Sequence, residues 1–374
     1  MIQSVPVNEP VIGKREKELV LECLETGWIS SEGPFVNKFE QDFSKRVKRK
    51  HGIACSNGTC ALELAIKALG IGEGDEVILP SFTIISCAAA IVRAGAVPIV
   101  VDCDLRHWNM NPDEILNSIT SRTAAIMIVH IYGLPVDIDP ILKIAEKFKL
   151  FVIEDSAEII GGKYKNQPCG SFGDISTFSF YPNKHITTGE GGMVVTNDSD
   201  IASRCRSLRN LCFQPNKRFV HEELGWNYRM TNIQAALGIA QLEKLDESLE
   251  KKIWIGKKYL EFLKEVKTIQ LPVEELSYAK NIFWVFGLVI KNDLHNTKNI
   301  INNLRKMGIG TRPFFHPIHK QPVFIKKGLF KNVKKPNSEL IGLNGFYIPS
   351  GLKISLEQIE YVANTLKEML KNKD

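Results

Sequence analysis

Short apolar runs rich in β-branched residues alternate with helical patterns between about residues 50 and 200. Alternation of this kind is typical of a parallel sheet that is covered by helices on both faces. The pattern predicts strands at 51–55, 76–79, 98–102, 125–130, 150–154, 176–180 and 193–196. It also predicts helices between these strands, among them 59–69 and 139–148.

The pattern changes after Gly225. Thr231, followed three residues later by Gln234, forms a capping box that predicts the start of a long helix reaching about residue 266. A strand at 282–290, a helix at 297–307 and a final helix opened by Ser355 then predict a smaller α+β unit. The expected organisation is an N-terminal arm at 1–12, a large α/β domain at 13–245 and a small α+β domain at 246–374.

The composition is that of a globular protein, since 44% of the 374 residues are hydrophobic and 24% are charged. These values exclude disordered, collagenous and fibrous proteins. The 48 basic and 42 acidic side chains give a net charge of +6, which is too even a mixture for a protein that binds the phosphate backbone of nucleic acids. We therefore expect no nucleic-acid partner.

The sequence also lacks the patterns of secreted and membrane proteins. Residues 1–10 have neither a basic start nor an apolar core, and the longest apolar run, 84–101, is interrupted by Arg93 and Pro98. The eight cysteines, at 23, 55, 60, 87, 103, 169, 205 and 212, never form a Cys-x-x-Cys pair, so neither a disulfide framework nor a zinc site is expected. The expectation is a cytoplasmic protein with reduced thiols, no metal and no membrane partner.

The segment Ser56-Asn57-Gly58-Thr59 lies where a predicted strand turns into a helix. Backbone N–H groups and the positive end of the helix dipole converge at such a turn, which favours an anion and above all a phosphate. The alternative is that Asn-Gly only makes the bend and caps the helix. Neither the dinucleotide fingerprint Gly-x-Gly-x-x-Gly nor a Walker loop occurs in the sequence.

Asp155 ends the predicted buried strand Phe-Val-Ile-Glu-Asp, at the sheet edge where open α/β sheets bind ligands. A carboxylate there needs a cation or hydrogen-bond donors, because burying it alone is costly. The alternative is an Asp that caps the next turn through Ser156 and Ala157.

Lys184 lies in the segment Ser-Phe-Tyr-Pro-Asn-Lys-His-Ile-Thr-Thr-Gly-Glu-Gly-Gly, residues 179–192. A lone lysine is usually a surface charge, but this turn is rich in Pro, Thr and Gly and is flanked by apolar strands, so the lysine could be held in a cleft. A cleft lysine together with a phosphate site and a carboxylate suggests pyridoxal phosphate. Lys184 would then be the Schiff-base lysine, and Asp155 would pair with the pyridinium nitrogen.

These motifs resemble those of the DegT/DnrJ/EryC1/StrS family of sugar aminotransferases, and the resemblance covers nearly the whole chain. The segments that carry it are SNGT at 56–59, EDSAE at 154–158, SFYPNK at 179–184, TTGEGG at 187–192 and GWNYRMTNIQAALGIAQLE at 225–243. The resemblance implies the α/β fold of aspartate aminotransferase, fold type I of pyridoxal-phosphate enzymes, with a mostly parallel seven-stranded sheet. It also implies a homodimer with shared active sites, and transfer of an amino group from L-glutamate to a nucleotide-linked keto-sugar for surface-glycan synthesis.

Site residues follow from the resemblance position by position. Lys184 would bind the cofactor and move the proton, and Asp155 would hold the pyridinium nitrogen. The phosphate would be held by Ser179 and the amides of Gly58 and Thr59, and by the neighbouring subunit's Asn227. Glu158 would lie near the ring hydroxyl. The substrate-lining residues would be Trp28, Ser30, Arg229 and His316, each of which also fits ordinary packing or surface positions.

Two positions bear on the chemistry of this particular chain. Glu158 stands where many relatives have Gln or His, and Glu at this position is found in relatives similar to GDP-perosamine synthase. It favours a GDP-linked 4-keto-6-deoxy sugar of mannose configuration, with UDP- or dTDP-linked sugars of glucose configuration second and amination at C3 left open. Ile84 stands where several relatives have an aromatic ring that stacks on the cofactor, so an aliphatic contact is expected instead.

Three other functions compete with aminotransfer. In sugar dehydratases of the same fold the lysine is replaced by His, so Lys184 argues against a dehydratase. A non-catalytic regulator that binds DNA would need a helix-turn-helix or a basic face, neither of which is evident, while one that only binds pyridoxal phosphate remains an alternative. A dehydrogenase on a Rossmann sheet would need the missing glycine fingerprint.

Overall fold

A seven-stranded sheet forms the centre of the chain in this computed structural model, which describes residues 4–214, 216–291 and 296–371. The strands are β1 (His51–Cys55), β2 (Glu76–Pro80), β3 (Val97–Val101), β4 (Thr123–Val129), β5 (Phe151–Asp155), β6 (Lys163–Tyr164), β7 (Gln167–Pro168), β8 (Ile175–Ser179), β9 (Gly192–Thr196), β10 (Ile269–Gln270), β11 (Glu275–Leu276), β12 (Ala279–Lys280), β13 (Phe286–Ile290), β14 (Arg312–Pro313) and β15 (Gly345–Ile348). The helices are α1 (Lys14–Thr26), α2 (Pro34–Arg46), α3 (Gly58–Ala68), α4 (Ile85–Arg93), α5 (Asp113–Ser118), α6 (Ile138–Phe148), α7 (Ser199–Arg209), α8 (Asn232–Glu243), α9 (Leu245–Leu263), α10 (Thr297–Lys306), α11 (Pro322–Lys326), α12 (Pro336–Asn344) and α13 (Leu356–Leu370).

The large sheet has the strand order β1-β9-β8-β5-β4-β2-β3. Strand β9 runs antiparallel to both of its neighbours, and the other pairs are parallel. The mostly parallel seven-stranded sheet expected from the sequence is confirmed, and each predicted strand lies within two residues of an observed one. Because the parallel strands all end at the same edge, the loops after β1, β2, β4, β5 and β8 meet there.

Helices cover the two faces of this sheet with separate apolar clusters. One cluster includes buried side chains of α3, α4 and α7, and the other includes those of α1, α2, α6 and α8. In the second cluster Phe43 packs edge-on against Phe178 and Phe180, with ring centroids 4.8 and 5.1 Å apart. Nearly continuous burial of β4 between these clusters explains why residues 124–129 form an unbroken apolar run in the sequence.

The single long helix predicted from residue 231 is wrong, because the chain forms two helices, α8 and α9, that meet at Lys244. The Lys244 N–H donates to the Gln241 carbonyl, and its Nζ lies 3.5 Å from the carboxylate of the buried Glu16. Asp246 and Glu247 in the first turn of α9 favour a new helix N-terminus. The capping box at Thr231, which starts α8, is confirmed.

The C-terminal part of the chain forms a four-stranded sheet in the order β10-β13-β15-β14. It is antiparallel and shares its own apolar cluster with side chains of α9, α10 and α13. The N-terminal arm packs on this unit, since the Val5 N–H donates to the Gly308 carbonyl at 2.8 Å. The predicted strand at 282–290 begins only at Phe286. The domain boundaries at residues 12 and 245 stay a prediction. Residues 1–3 of the predicted arm and residues 372–374 of the predicted small domain lie outside the described residues. No helix in the described ranges is long and apolar enough to span a membrane.

Glu154 is a fully buried carboxylate on β5 that holds the sheet to the loop before β8. Its oxygens accept from the N–H groups of Gly170 and Phe172 at 2.6 and 3.0 Å, from the Ser176 hydroxyl at 2.9 Å and from His130 Nε2 at 3.0 Å. Because His130 Nδ1 accepts from a backbone N–H, the ring hydrogen lies on Nε2 and donates to Glu154. Burial raises the pKa of Glu154, but these donors outweigh it and hold the pKa below its usual value.

We expect Glu154→Gln to lower the free energy of unfolding by about 3 kcal/mol near pH 7, because an amide cannot accept from all four donors. The pKa of Glu154 is lower in the folded protein than in the unfolded chain, where it is about 4.3. The stabilisation is therefore fully present above pH of about 4.3 and is lost as the pH falls through the pKa of the folded protein. The difference from the wild type, measured by urea unfolding of the apoproteins, should therefore shrink on acidification. Glu243→Gln, in an exposed ion pair with Arg15, is the control and should change little. Equal stability of wild type and Glu154→Gln at neutral pH would contradict this account.

Candidate active site

A cavity of about 670 Å³ lies at the edge of the large sheet where the parallel strands end. Its walls come from the turn after β1, the loop after β2, the ends of β5 and β8, and the C-terminal unit. Six residues predicted from the sequence line it together: Gly58, Thr59, Asp155, Glu158, Ser179 and Lys184.

One end of the cavity collects hydrogen-bond donors at the start of α3. Asn57 caps this helix through its side chain, and the first N–H groups of a helix have no partner within the helix itself. Thr59 Oγ1 lies 2.9 Å from Ser86 Oγ. Gly58 faces Ser179 so closely that a Cβ at Gly58 would lie 2.7 Å from the Ser179 Cβ. Backbone amides, hydroxyls and the helix dipole thus converge on a space that only glycine leaves open, as an anion site requires.

Asp155 lies at the end of β5 and is 3% exposed. Its Oδ1 accepts from the Ala157 N–H at 3.0 Å, and its Oδ2 accepts from Cys87 Sγ at 3.2 Å. Burial raises the pKa of Asp155, and the two donors and the charge of Lys184 offset this only in part. The turn-capping interpretation and the ligand interpretation are therefore compatible, since the Ala157 contact occupies only one lone pair of one oxygen.

Glu158 lies on the same wall, also almost fully buried. Its Oε2 accepts from the Tyr132 N–H at 2.8 Å. Tyr132 presents this N–H from a left-handed backbone conformation, with φ at 55°, which is uncommon for a bulky residue. Burial raises the pKa of Glu158 to about 7, against the attraction of Lys184, so Glu158 can carry a proton near neutral pH.

Lys184 is half-buried, and its amine lies 3.7 Å from the centroid of the Trp284 ring. The Trp284 indole N–H donates to the Asn183 carbonyl at 2.7 Å, which fixes the ring beside the lysine. Burial lowers the pKa of Lys184, and the carboxylates of Glu158 and Asp155 oppose this. The ring face accepts no hydrogen bond from the nitrogen lone pair. The neutral amine therefore keeps its lone pair available while it lies against Trp284.

The other residues predicted from the sequence lie outside this cavity in the single chain. Asn227, Ser30 and His316 are exposed, and Trp28 is 51% exposed, which excludes core packing for that ring. Arg229 donates to the side chain of Asn210. Ile84, where relatives have an aromatic ring, does line the cavity. The sequence interpretation missed Ser86, Cys87, Tyr132 and Trp284 because they stand in segments that looked like ordinary core.

This set of groups fits pyridoxal phosphate. The cradle at Gly58 supplies amide and hydroxyl donors for a phosphate, Asp155 offers a buried carboxylate for a protonated ring nitrogen, and Lys184 supplies an amine. Glu158, with a pKa near neutrality, can either accept or donate a hydrogen bond. The phosphate, the ring nitrogen and the aldehyde of the cofactor each need a different kind of partner. The cavity offers a separate group for each of them.

Comparison with known proteins agrees with this fit. The model of the DegT/DnrJ/EryC1/StrS aminotransferase family matches residues 10–367. The chain belongs to this family. It is 42% identical over 374 residues to the GDP-perosamine synthase of Escherichia coli O157:H7, covering all of both chains, and 41% identical over 370 residues to that of Caulobacter vibrioides, covering 99% of each. The solved structure of DesV from S. venezuelae superposes with a TM-score of 0.89 at 29% identity, over 96% of this chain and 95% of that one.

Membership of the DegT/DnrJ/EryC1/StrS family makes the chain a pyridoxal-phosphate-dependent aminotransferase with the fold expected from the sequence. It also excludes the dehydrogenase interpretation, since the matched family is one of aminotransferases. The family's cofactor needs an anion site, an acidic partner for its ring nitrogen and an amine, and all three line one cavity here.

We expect Gly58→Ala to weaken pyridoxal-phosphate binding by about tenfold or more, since the added methyl group forces the start of α3 away from Ser179 and loses a hydrogen bond to the phosphate. Titration of the apoprotein followed by cofactor absorbance measures the dissociation constant. Gly72→Ala is the matched control, because its Cβ would meet its nearest neighbour at an ordinary 3.5 Å. An unchanged constant in Gly58→Ala would exclude this turn as the phosphate site.

Proposed function

We propose that this aminotransferase moves the amino group of L-glutamate to a GDP-linked 4-keto-6-deoxy sugar of mannose configuration, as a step in the synthesis of a surface glycan. The observation that carries the proposal is the full-length similarity, at 42% and 41% identity, to two GDP-perosamine synthases. A second support is Glu158, which stands in the cavity beside Lys184. The free and buried state of all eight cysteines agrees with a cytoplasmic site of action.

In this proposal Lys184 holds the cofactor and moves the proton. Bound pyridoxal phosphate supplies an electron sink for the electron pair left when the carbon–hydrogen bond of the amino donor breaks. Lys184 would remove that proton from the donor carbon in the first half of the reaction, after which the donor leaves as its keto acid. It would supply a proton to the acceptor carbon in the second half, and the removal needs a neutral amine. Burial of Lys184 lowers its pKa and so increases the neutral fraction at a given pH.

The remaining cavity residues bind and orient. Ser179 and the amides of Gly58 and Thr59 would hold the phosphate, and Asp155 would keep the ring nitrogen protonated through its charge. Glu158 would meet the ring hydroxyl, to which it can donate in its protonated form or from which it can accept when ionised. The Trp284 ring lies against the Lys184 amine and would hold it in position in the cavity.

We expect Lys184→Ala to lose aminotransfer by several orders of magnitude, because one side chain provides both the cofactor linkage and the proton shuttle. The assay offers GDP-, UDP- and dTDP-linked keto-sugars with L-glutamate and follows the aminated product by mass spectrometry. Turnover should be highest with the GDP-linked sugar, and Lys165→Ala, an exposed lysine paired with Asp139, should match the wild type. A preference for a UDP- or dTDP-linked sugar would reject the proposed substrate, whereas wild-type turnover by Lys184→Ala would reject the role of the lysine.

We also propose that two copies of the chain share each active site. Asn227 is exposed on a loop that leads into α8, and its amide could donate to a phosphate held by the other copy. Phe219 and Leu224, in the same loop, are 82% and 89% exposed. Burial of such exposed apolar side chains against a second chain would favour an interface that includes this loop.

We expect mixtures of Lys184→Ala and Asn227→Ala subunits to regain activity above that of either variant alone. In a shared arrangement both lesions fall in one site of the mixed dimer, and the other site is intact. Asn227→Ala alone should weaken cofactor binding about tenfold to a hundredfold, since it removes a hydrogen bond to a charged group. The absence of complementation, with subunit exchange demonstrated and Asn227→Ala impaired, would place the whole site within one chain.

A further inference from the structure

Cys87 is a buried thiol with a carboxylate as its neighbour. It lies in α4, and its Sγ is 3.2 Å from Asp155 Oδ2 and 3.6 Å from Thr83 Oγ1. Burial raises the pKa of Cys87 well above its usual value, and the charge of Asp155 adds to this. An ionised carboxylate can only accept, so the hydrogen lies on the sulfur and points to Asp155.

Asp155 has few other partners. Its second donor is the Ala157 backbone N–H on Oδ1, and within the described residues no basic side chain lies within 4 Å of its carboxylate, although the charge of Lys184 acts on it from farther away. Cys87 is thus the side-chain donor to Asp155 in the described part of the chain, and it acts on the oxygen that Ala157 does not reach. One donor on each oxygen fixes the plane of the carboxylate and leaves a lone pair on each oxygen for a ligand.

We propose that Cys87 is a positioning residue, whose thiol hydrogen bond orients Asp155 and keeps it ionised against the ring nitrogen of the cofactor. The inference rests on the proposed role of Asp155 and goes beyond it, because it names a side chain that helps the buried acid to stay charged beside Lys184. A proton between Asp155 and the ring nitrogen can lie on either partner. A donor on Oδ2 stabilises the ionised carboxylate, so it favours the arrangement in which the nitrogen carries the proton.

Two substitutions separate the hydrogen bond from packing. Cys87→Ser keeps a donor of similar size, whereas Cys87→Ala removes the donor. Cys205→Ala is the matched control, because Cys205 is equally buried in the same apolar cluster and has no contact with Asp155. Cys87→Ala and Cys205→Ala therefore remove the same atoms from the same apolar cluster. They differ in that only Cys87→Ala also removes a contact with the Asp155 carboxylate.

The experiment measures the ¹⁵N chemical shift of the ring nitrogen in holoenzyme loaded with labelled pyridoxal phosphate, together with kcat and KM. In Cys87→Ala the shift should move toward that of the unprotonated ring, and kcat should fall about tenfold while KM for glutamate changes little, since a contact to a charged group is lost at the reacting centre. Cys87→Ser should keep the chemical shift and kcat close to those of the wild type, because it retains a donor. Cys205→Ala should leave both quantities unchanged.

The possible outcomes are distinguishable. A wild-type ring nitrogen that is unprotonated would reject the proposed role of Asp155 itself. A protonated wild-type nitrogen with an unchanged shift and kcat in Cys87→Ala would overturn the role of Cys87 alone. If Cys87→Ala does not fold, the infrared S–H band of Cys87 in the apoprotein, taken as the difference from Cys87→Ser, decides. It should move to higher frequency in Asp155→Asn, and an unmoved band would overturn the proposed hydrogen bond.

Discussion

Buried carboxylates need hydrogen-bond donors. Strand β5 carries two buried carboxylates in succession, Glu154 and Asp155. Because side chains alternate along a strand, Glu154 and Asp155 face opposite sides of the sheet. Glu154 has four donors and serves to join the sheet to the loop before β8. Asp155 has only two, one on each oxygen, and faces the cavity. The difference in the number of donors separates a structural acid from one that still has capacity for a ligand.

The same constraint extends to the rest of the cavity. Burial lowers the pKa of Lys184, and the carboxylates of Glu158 and Asp155 oppose this. Burial raises the pKa of Glu158 to about 7, and the charge of Lys184 opposes this rise. A small displacement of the lysine therefore alters the protonation of both acids. Trp284 comes from the segment before β13 and fixes the lysine from the side of the C-terminal unit. The packing of the two units thereby becomes part of the electrostatics of the site.

Local pattern and turn chemistry explain what the sequence could predict. The strands of the large sheet and the cap at Asn57 depend on neighbours in the chain and agree with the structure. Asp155 and Lys184 line one cavity, and their roles in it stay a prediction. The break at Lys244 was missed because the apolar pattern continues across it, and its contact with Glu16 joins residues more than two hundred positions apart. Cys87 was classed only as a buried thiol, because its contact with Asp155 exists only after α4 packs beside β5.

The choice of nucleotide depends on contacts of the same long-range kind. A nucleoside diphosphate carries negative charge that needs cationic or amide donors. Among the described residues that line the cavity, the basic side chains are Arg93 and Lys184, and Arg93 is already paired with Glu63. Lys184 is required for the amino transfer itself. Among the described lining residues, the single chain therefore offers no further cation that could recognise a diphosphate.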